Sequence, residues 1–196
     1  ELELLLEDDT NTRPSVQLSP VSDDGEAMLT YARENGLEGI VAKRPMSQYQ
    51  EGSRSSWLKI KLRQEQEFVV LGWTEGKNGN TGHLGALILG VFEDDGHYRF
   101  CGKVGTGFDN AEADRLKALL EEGPQFESRV DGGYADQDTL IQGVPAGKEY
   151  REAHWAWPTI VVQVEFQRWT KDGVLWHPSY KGQRHDKLPS EVRRES

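Results

Sequence analysis

The chain has 196 residues, 36% of them apolar, with 21 glycines and 8 prolines, which suffices for one large core or two small ones and excludes broad disorder. A formal net charge of −10 argues, as a sum, against a nucleic-acid partner. The single cysteine, Cys101, excludes an intrachain disulfide and favours a reducing compartment, and one cysteine with five dispersed histidines lacks zinc-site spacing.

Taken in chain order, Leu2, Leu4, Leu5 and Leu6 among acids read as a helix end, followed by a connector and a short strand at Val16–Leu18. Asp23, with Glu26 three residues on, predicts the capped start of a helix whose stripe is Ala27, Met28, Tyr31 and Ala32, with Asn35-Gly36 as its stop. Gly39–Ala42 reads as a short buried strand with Glu38 at its entrance. After a polar loop over 46–56, alternation in Trp57–Leu62 puts Trp57, Lys59 and Lys61 on one face and Leu58, Ile60 and Leu62 on the other.

Composition changes near Leu62–Gln66, and the expected boundary divides residues 1–62 from 63–196. Strands are expected at Glu67–Thr74, Ala86–Phe92 and His97–Val104, the last two joined by an Asp95-Gly96 turn. Asp109 and Glu112 form a second capping-box pair before a helix with Ala113, Leu116, Leu119 and Leu120 inward. Residues 123–153 read as a long loop with little regular structure. Ile160–Trp169 is a strand with Val162, Val164 and Phe166 inward, and Asp172-Gly173 turns it into Val174–Tyr180. Five strands and one helix fit a small Greek-key barrel, so the fold class is α+β. No secretory leader or long apolar run occurs, so a soluble, cytoplasmic protein with no membrane partner is expected.

Charge is distributed unevenly. Residues 1–38 hold ten acids against two arginines, whereas residues 54–63 contain Arg54, Lys59, Lys61 and Arg63 and no acid. From His177 to Lys187 the chain carries Lys181, Arg184 and Lys187 against Asp186 alone. Local concentration of this kind suits phosphate binding despite the acidic sum. Gly105-Thr106-Gly107 is not a phosphate-binding P-loop, because it lacks the Lys-Ser/Thr ending.

Three tracts carry a resemblance. Glu38–Arg44 resembles the fourth nucleotidyltransferase motif of ATP-dependent DNA ligases. Trp57–Lys61 resembles the fifth, and the segment from His177 to Lys187 resembles the sixth. The likeness runs from about Leu4 to Val192 and is closest to the ligase module of bacterial non-homologous end-joining ligases. It implies the C-terminal part of an adenylation domain (1–62) followed by an oligonucleotide-binding (OB) barrel (63–196). The family's nucleophilic Lys-x-Asp-Gly motif is absent: the first lysine is Lys43, and Lys171-Asp172-Gly173 lacks the spacer. The third motif is absent too, and Trp176, Gln183 and His185 depart from the sixth-motif pattern. The expectation is a chain that cannot form the lysyl-adenylate alone and whose partner is the missing N-terminal part of the adenylation domain.

By that resemblance Glu38 helps hold a divalent metal, Mg2+ or Mn2+, and Lys59 and Lys61 meet the α-phosphate of ATP or AMP beside Trp57. Lys43, Arg44 and Arg54 are further nucleotide contacts, while Arg184 and Lys187 orient the outer phosphates with Asp186 orienting them. Each has a plainer alternative. Glu38 could be a solvated strand end, the lysines a guard on an edge strand, Lys43, Arg44 and Arg54 ordinary surface cations, and residues 177–187 a basic segment contacting nothing. For duplex DNA, nicked or broken, Lys77, Lys103, Lys171 and Lys181 are candidate phosphate contacts, with Trp73, Trp169 or Trp176 packing on sugar or base. Other end-joining proteins are implied partners, in a bacterial cytoplasm near the nucleoid. Two rival functions stay open: a non-catalytic OB-fold nucleic-acid-binding module, and a fragment of an RNA-ligase or capping-type nucleotidyltransferase.

Overall fold

The computed structural model describes residues 19–47, 56–77, 82–123, 129–130, 133–134 and 140–195. The chain divides into two compact units, Glu1–Leu62 and Arg63–Ser196. The expected strand at Val16–Leu18 and most of the polar loop, including Arg54, lie outside the described residues.

In the first unit, helix α1 spans Gly25–Glu34. Its N-cap is Asp24 and not the expected Asp23: Asp24 Oδ1 accepts the N–H groups of Glu26 and Ala27, both at 3.1 Å. Ser22 Oγ accepts the Asp24 N–H and fixes the chain entering that cap. The helix ends as expected at Asn35-Gly36. Gly36, at φ 63°, lets the N–H of Leu37 reach the carbonyl of Ala32 and its own N–H reach Arg33, a Schellman closure. Ala32 is fully buried, but Ala27 and Tyr31 are exposed, so the inward stripe is narrower than the periodicity suggests.

Strands β1 (Gly39–Lys43) and β2 (Trp57–Lys61) form an antiparallel ribbon, with Gly39 opposite Lys61, Val41 opposite Lys59 and Lys43 opposite Trp57. The expectation of a buried first strand is corrected: only Gly39 and Ile40 are partly covered, while Val41 to Lys43 are exposed. A two-stranded ribbon has few neighbours to cover either face.

The second unit is built on strands β3 (Gln64–Glu75), β4 (Leu84–Phe92), β5 (Tyr98–Val104), β8 (Ile141–Gln142), β9 (His154–Phe166) and β12 (Ser179–Arg184). Hydrogen bonding orders them β12-β9-β3-β4-β5-β8, all antiparallel except β5–β8. The Tyr180 N–H donates to the Thr106 carbonyl at 2.8 Å, joining β12 to the end of β5. The circuit β3-β4-β5-β12-β9 is thereby closed, as in an OB barrel. Helix α2 (Asn110–Glu122) follows β5 and is capped by Asp109, whose Oδ1 accepts the Glu112 N–H.

Phe68 to Leu71 of β3 and Leu87 to Leu89 of β4 are fully buried, with Leu116 of α2 and Val162 and Val164 of β9. Burying each such side chain stabilises by roughly 1.5–3 kcal/mol. Leu119, expected inward, is exposed on the far side of α2. The expected long loop holds, among the described residues, β6 (Arg129–Val130), β7 (Gly133–Tyr134), β8 and the short helix α3 (Lys148–Arg151).

Strand β9 begins at His154, not Ile160. Trp157-Pro158 hides its start in the sequence, because proline lacks a ladder donor. Pro158 falls where the pairing shifts from Val70–Ile160 to Gly72–Trp155. The expected strand Val174–Tyr180 is likewise broken. A hairpin of β10 (Arg168–Trp169) and β11 (Leu175–Trp176) ends at His177, φ 53°, and Pro178, after which β12 begins.

Candidate functional site

Two clusters contain the candidate residues, one in each unit. In the first, the β1–β2 register sets Lys43 and Val41 across from Trp57 and Lys59 on one face. Lys59 Nζ donates to Glu38 Oε1 at 2.7 Å, and Lys61 Nζ lies 3.4 Å from the same oxygen. Lys43 Nζ sits 4.4 Å from the centroid of the Trp57 ring, a cation–π contact. Glu38 is positioned by its backbone, since its carbonyl accepts the Leu62 N–H at 3.0 Å.

Glycine is required next to it. A Cβ on Gly39 would lie 2.1 Å from the Ile60 carbonyl oxygen, so only glycine lets the strands meet where Glu38 faces both lysines. Arg44 lies beyond β1, exposed, its backbone held by Ser56 and Ser47.

Exposed ion pairs contribute about 0–1 kcal/mol, so stability does not account for two lysines converging on one carboxylate. The arrangement presents cations able to take an anion in exchange for Glu38. Among the described residues no group of three or more His, Cys, Asp or Glu is placed to hold a metal. A single carboxylate such as Glu38 is compatible with magnesium, which takes one or two carboxylates with substrate phosphate and water.

The second cluster is at the end of β12. Arg184 Nε and Nη2 donate to Asp186 at 2.9 and 2.8 Å, while Nη1 donates to Glu67 Oε1 and Gln163 Oε1, both at 2.9 Å. The hydrogen-bonded Asp186 carboxylate raises the Arg184 pKa, and Arg184 in turn lowers that of Asp186 to about 2. Lys187 has Glu67 Oε2 at 3.9 Å, so the carboxylate shared by the two cations is Glu67.

A β-bulge makes this possible. Pairing passes from Tyr180–Val164 to Gly182–Gln163, leaving Lys181 as the extra residue. Tyr180 points into the core, and unbroken alternation would send Arg184 the same way. The bulge reverses the phase and turns Arg184 outward, beside Gln163 and Glu67.

Sequence reasoning missed Glu67 and Gln163 as partners of Arg184. It also missed the clasp between α2 and β12. Glu112, expected to complete a capping box, directs its carboxylate to Arg115 (2.7 Å) and the buried Tyr180 hydroxyl (2.5 Å). Arg115 also donates to Gln183 at 2.9 Å. The available signal was the Glu112–Arg115 spacing of three, which sets both side chains on one helix face.

The Arg115 hydrogen bonds, with help from Tyr180, outweigh partial burial and hold the Glu112 pKa at about 2 against an ordinary 4.5. A depressed carboxyl stabilises the fold fully above its unfolded pKa and loses that contribution as pH falls through the folded one. Glu112→Gln is therefore expected to lower unfolding free energy by on the order of 2 kcal/mol at pH 7. The gap from the parent should shrink between pH 4.5 and about 2. Urea titrations at several pH values measure it, and a pH-independent gap would refute the linkage.

The candidate DNA contacts separate. Trp73 is core, stacked on His154 with ring centroids 4.1 Å apart, and so cannot pack on a base. Lys77 and Lys103 converge on Glu149, whose pKa is lowered chiefly by the Lys103 hydrogen bond. Lys181 pairs with Glu165 at 3.1 Å, which Arg63 also contacts at 2.6 Å. Trp176 is exposed, and Trp169 is partly buried.

Comparison with known proteins follows the same division. Residues 7–61 match the family described as "ATP dependent DNA ligase domain", and residues 80–187 the "ATP dependent DNA ligase C terminal region". The multifunctional non-homologous end joining protein LigD of Mycolicibacterium smegmatis is 36% identical over 170 residues, covering 86% of this chain and 21% of that protein. The chain thus spans about a fifth of the length of the curated relatives it matches.

The crystal structure of the ligase domain of M. tuberculosis LigD aligns at a TM-score of 0.58 and 34% identity, over 98% of this chain and 59% of that one. A mycobacterial DNA ligase D complexed with ATP and MES aligns at 0.53, also at 34% identity, over 98% and 58%. Among the described residues, no helix is long and apolar enough to cross a membrane. With one ligase region matched over β1 and β2 and another over the strands that carry Arg184, the chain belongs to the ATP-dependent DNA ligase family.

Proposed function

We propose that this chain is part of an ATP-dependent DNA ligase that seals nicked or broken duplex DNA, and that it supplies phosphate and metal contacts while the nucleophilic lysine is contributed by residues outside it. The observation that carries this reading is the Lys59–Glu38–Lys61 cluster on a ribbon matched by the ligase family. The wider setting, non-homologous end joining with other repair proteins in a bacterial cytoplasm, rests on the LigD relatives.

In the proposed cycle a lysine Nζ attacks the α-phosphorus of ATP and pyrophosphate leaves. AMP then passes from that nitrogen to the DNA 5′-phosphate, and the 3′-hydroxyl attacks the activated phosphate to form the phosphodiester as AMP leaves. Lys59 and Lys61 stabilise negative charge on the non-bridging α-phosphate oxygens in the transition states, where fixed cations count most. Trp57, with Lys43 against its ring, gives the nucleotide a flat wall, and Arg44 and Arg54 are further phosphate contacts. Glu38 receives the lysines between turnovers and is the carboxylate offered to a metal. Bound Mg2+ would supply charge neutralisation at the phosphate oxygens. Arg184 and Lys187, with Asp186 orienting them before the nucleotide arrives, serve the β- and γ-phosphates so that pyrophosphate departs in line.

Two experiments test this. The 196-residue chain incubated with α-labelled ATP and magnesium should take up no covalent label, and adding a polypeptide that carries the rest of the adenylation domain should restore labelling and nick sealing. Covalent labelling of the chain alone would refute the external-nucleophile part. Salt-dependent DNA binding with no sealing by the reconstituted protein would favour the non-catalytic module.

A further inference from the structure

We propose that Glu67 is the positioning residue for both cations of the 177–187 segment, fixing Arg184 and Lys187 for pyrophosphate departure while Asp186 acts as a releasable partner. This rests on the ligase reading above. Glu67 lies on β3 directly opposite Gln163 on β9, and the bulge at Lys181 brings Arg184 of β12 to the same face. Its side chain is 14% exposed, against 66% for Asp186. One carboxylate oxygen takes Arg184 and the other faces Lys187.

These hydrogen bonds engage four of the five N–H groups of the Arg184 guanidinium. To grip a phosphate through two parallel bonds, the arginine must give up a partner. Asp186 is exposed, follows Arg184 by two residues and is easily replaced by phosphate oxygens. Releasing Glu67 would instead leave a largely buried carboxylate without its hydrogen-bonded cation, which costs far more. The strand-borne acid therefore holds Nη1 while the edge carrying Nε and Nη2 is exchanged from Asp186 to substrate.

The test uses a complete ligase containing this chain, with two rates measured separately: enzyme adenylation from ATP, and sealing of a pre-adenylated nick. Glu67→Ala is expected to slow adenylation roughly 10- to 100-fold, the loss that small misplacement of a reacting group produces. Sealing should change by less than about threefold, since no pyrophosphate leaves in that step. Glu67→Gln keeps one acceptor for Nη1 and should fall between parent and Glu67→Ala. In an Arg184→Ala, Lys187→Ala background, Glu67→Ala should add nothing.

Equal loss of both steps in either Glu67 variant, or an additive loss in that background, overturns the proposal. If Arg184→Ala slows adenylation and Glu67→Ala does not, the positioning role fails and the ligase reading stands. If neither slows adenylation, the role given to the 177–187 segment fails as well.

Discussion

A complete ligase carrying Lys59→Ala is expected to form its lysyl-adenylate about 100- to 1,000-fold more slowly than the parent, the loss typical of removing one charge-stabilising donor from a phosphoryl- or acyl-transfer site. Lys59 is the cation nearest Glu38, at 2.7 Å, on the face shared with Trp57. The melting temperature should hardly move, because the lysine is about half exposed and an ion pair of that kind contributes little. Lys59→Arg retains charge but not a compact ammonium, and should recover part of the rate. Single-turnover labelling with ATP, followed by a thermal melt, separates catalysis from folding. A rate within threefold of the parent would mean that Lys59 does not meet the phosphate.

Phe68→Ala is expected to destabilise the second unit by about 3–5 kcal/mol. Phe68 is fully buried and meets Phe166 edge-on at 5.9 Å and Trp169 at 5.7 Å, joining β3, β9 and β10. Aromatic contacts of this geometry add to the gain from burial, and in a close-packed core the deleted ring leaves a cavity. Urea unfolding followed by circular dichroism measures the loss, with Trp169 in the cluster contributing one of the six tryptophan signals that fluorescence reads. A loss below 1 kcal/mol would show that the cluster relaxes around the deletion.

Several local elements were legible because one physical signal dominates each. Asn35-Gly36 stopped α1 since glycine takes positive φ without strain, and Asp109 capped α2 since its carboxylate reaches the Glu112 N–H. Alternation in Trp57–Lys61 and in Val162–Phe166 survived because each strand keeps one face. Failures came where two signals compete. Asp23 and Asp24 are equivalent candidates in sequence, and the Ser22 hydroxyl on the Asp24 N–H accompanies the choice of the second. The expected strand Val174–Tyr180 ran through Pro178, where the chain breaks, and the expected start at Ile160 stopped short of Pro158, which β9 includes.

The two candidate clusters differ in the same way. Glu38, Lys43, Trp57, Lys59 and Lys61 come together through one antiparallel pairing, and period-two alternation already set Trp57, Lys59 and Lys61 on a common face. The surroundings of Arg184 come from three strands and one bulge, with Glu67 117 residues away. Alternation along β12 cannot reveal this, because a single extra residue, Lys181, reverses every side chain after it. Composition, caps and alternation thus carried the α+β class, the barrel strands and the charged ribbon face, since those depend on neighbours a few bonds away. Which acid holds which cation was decided by packing. Glu67, Gln163 and Arg184 become neighbours only when β3, β9 and β12 lie side by side in a closed barrel.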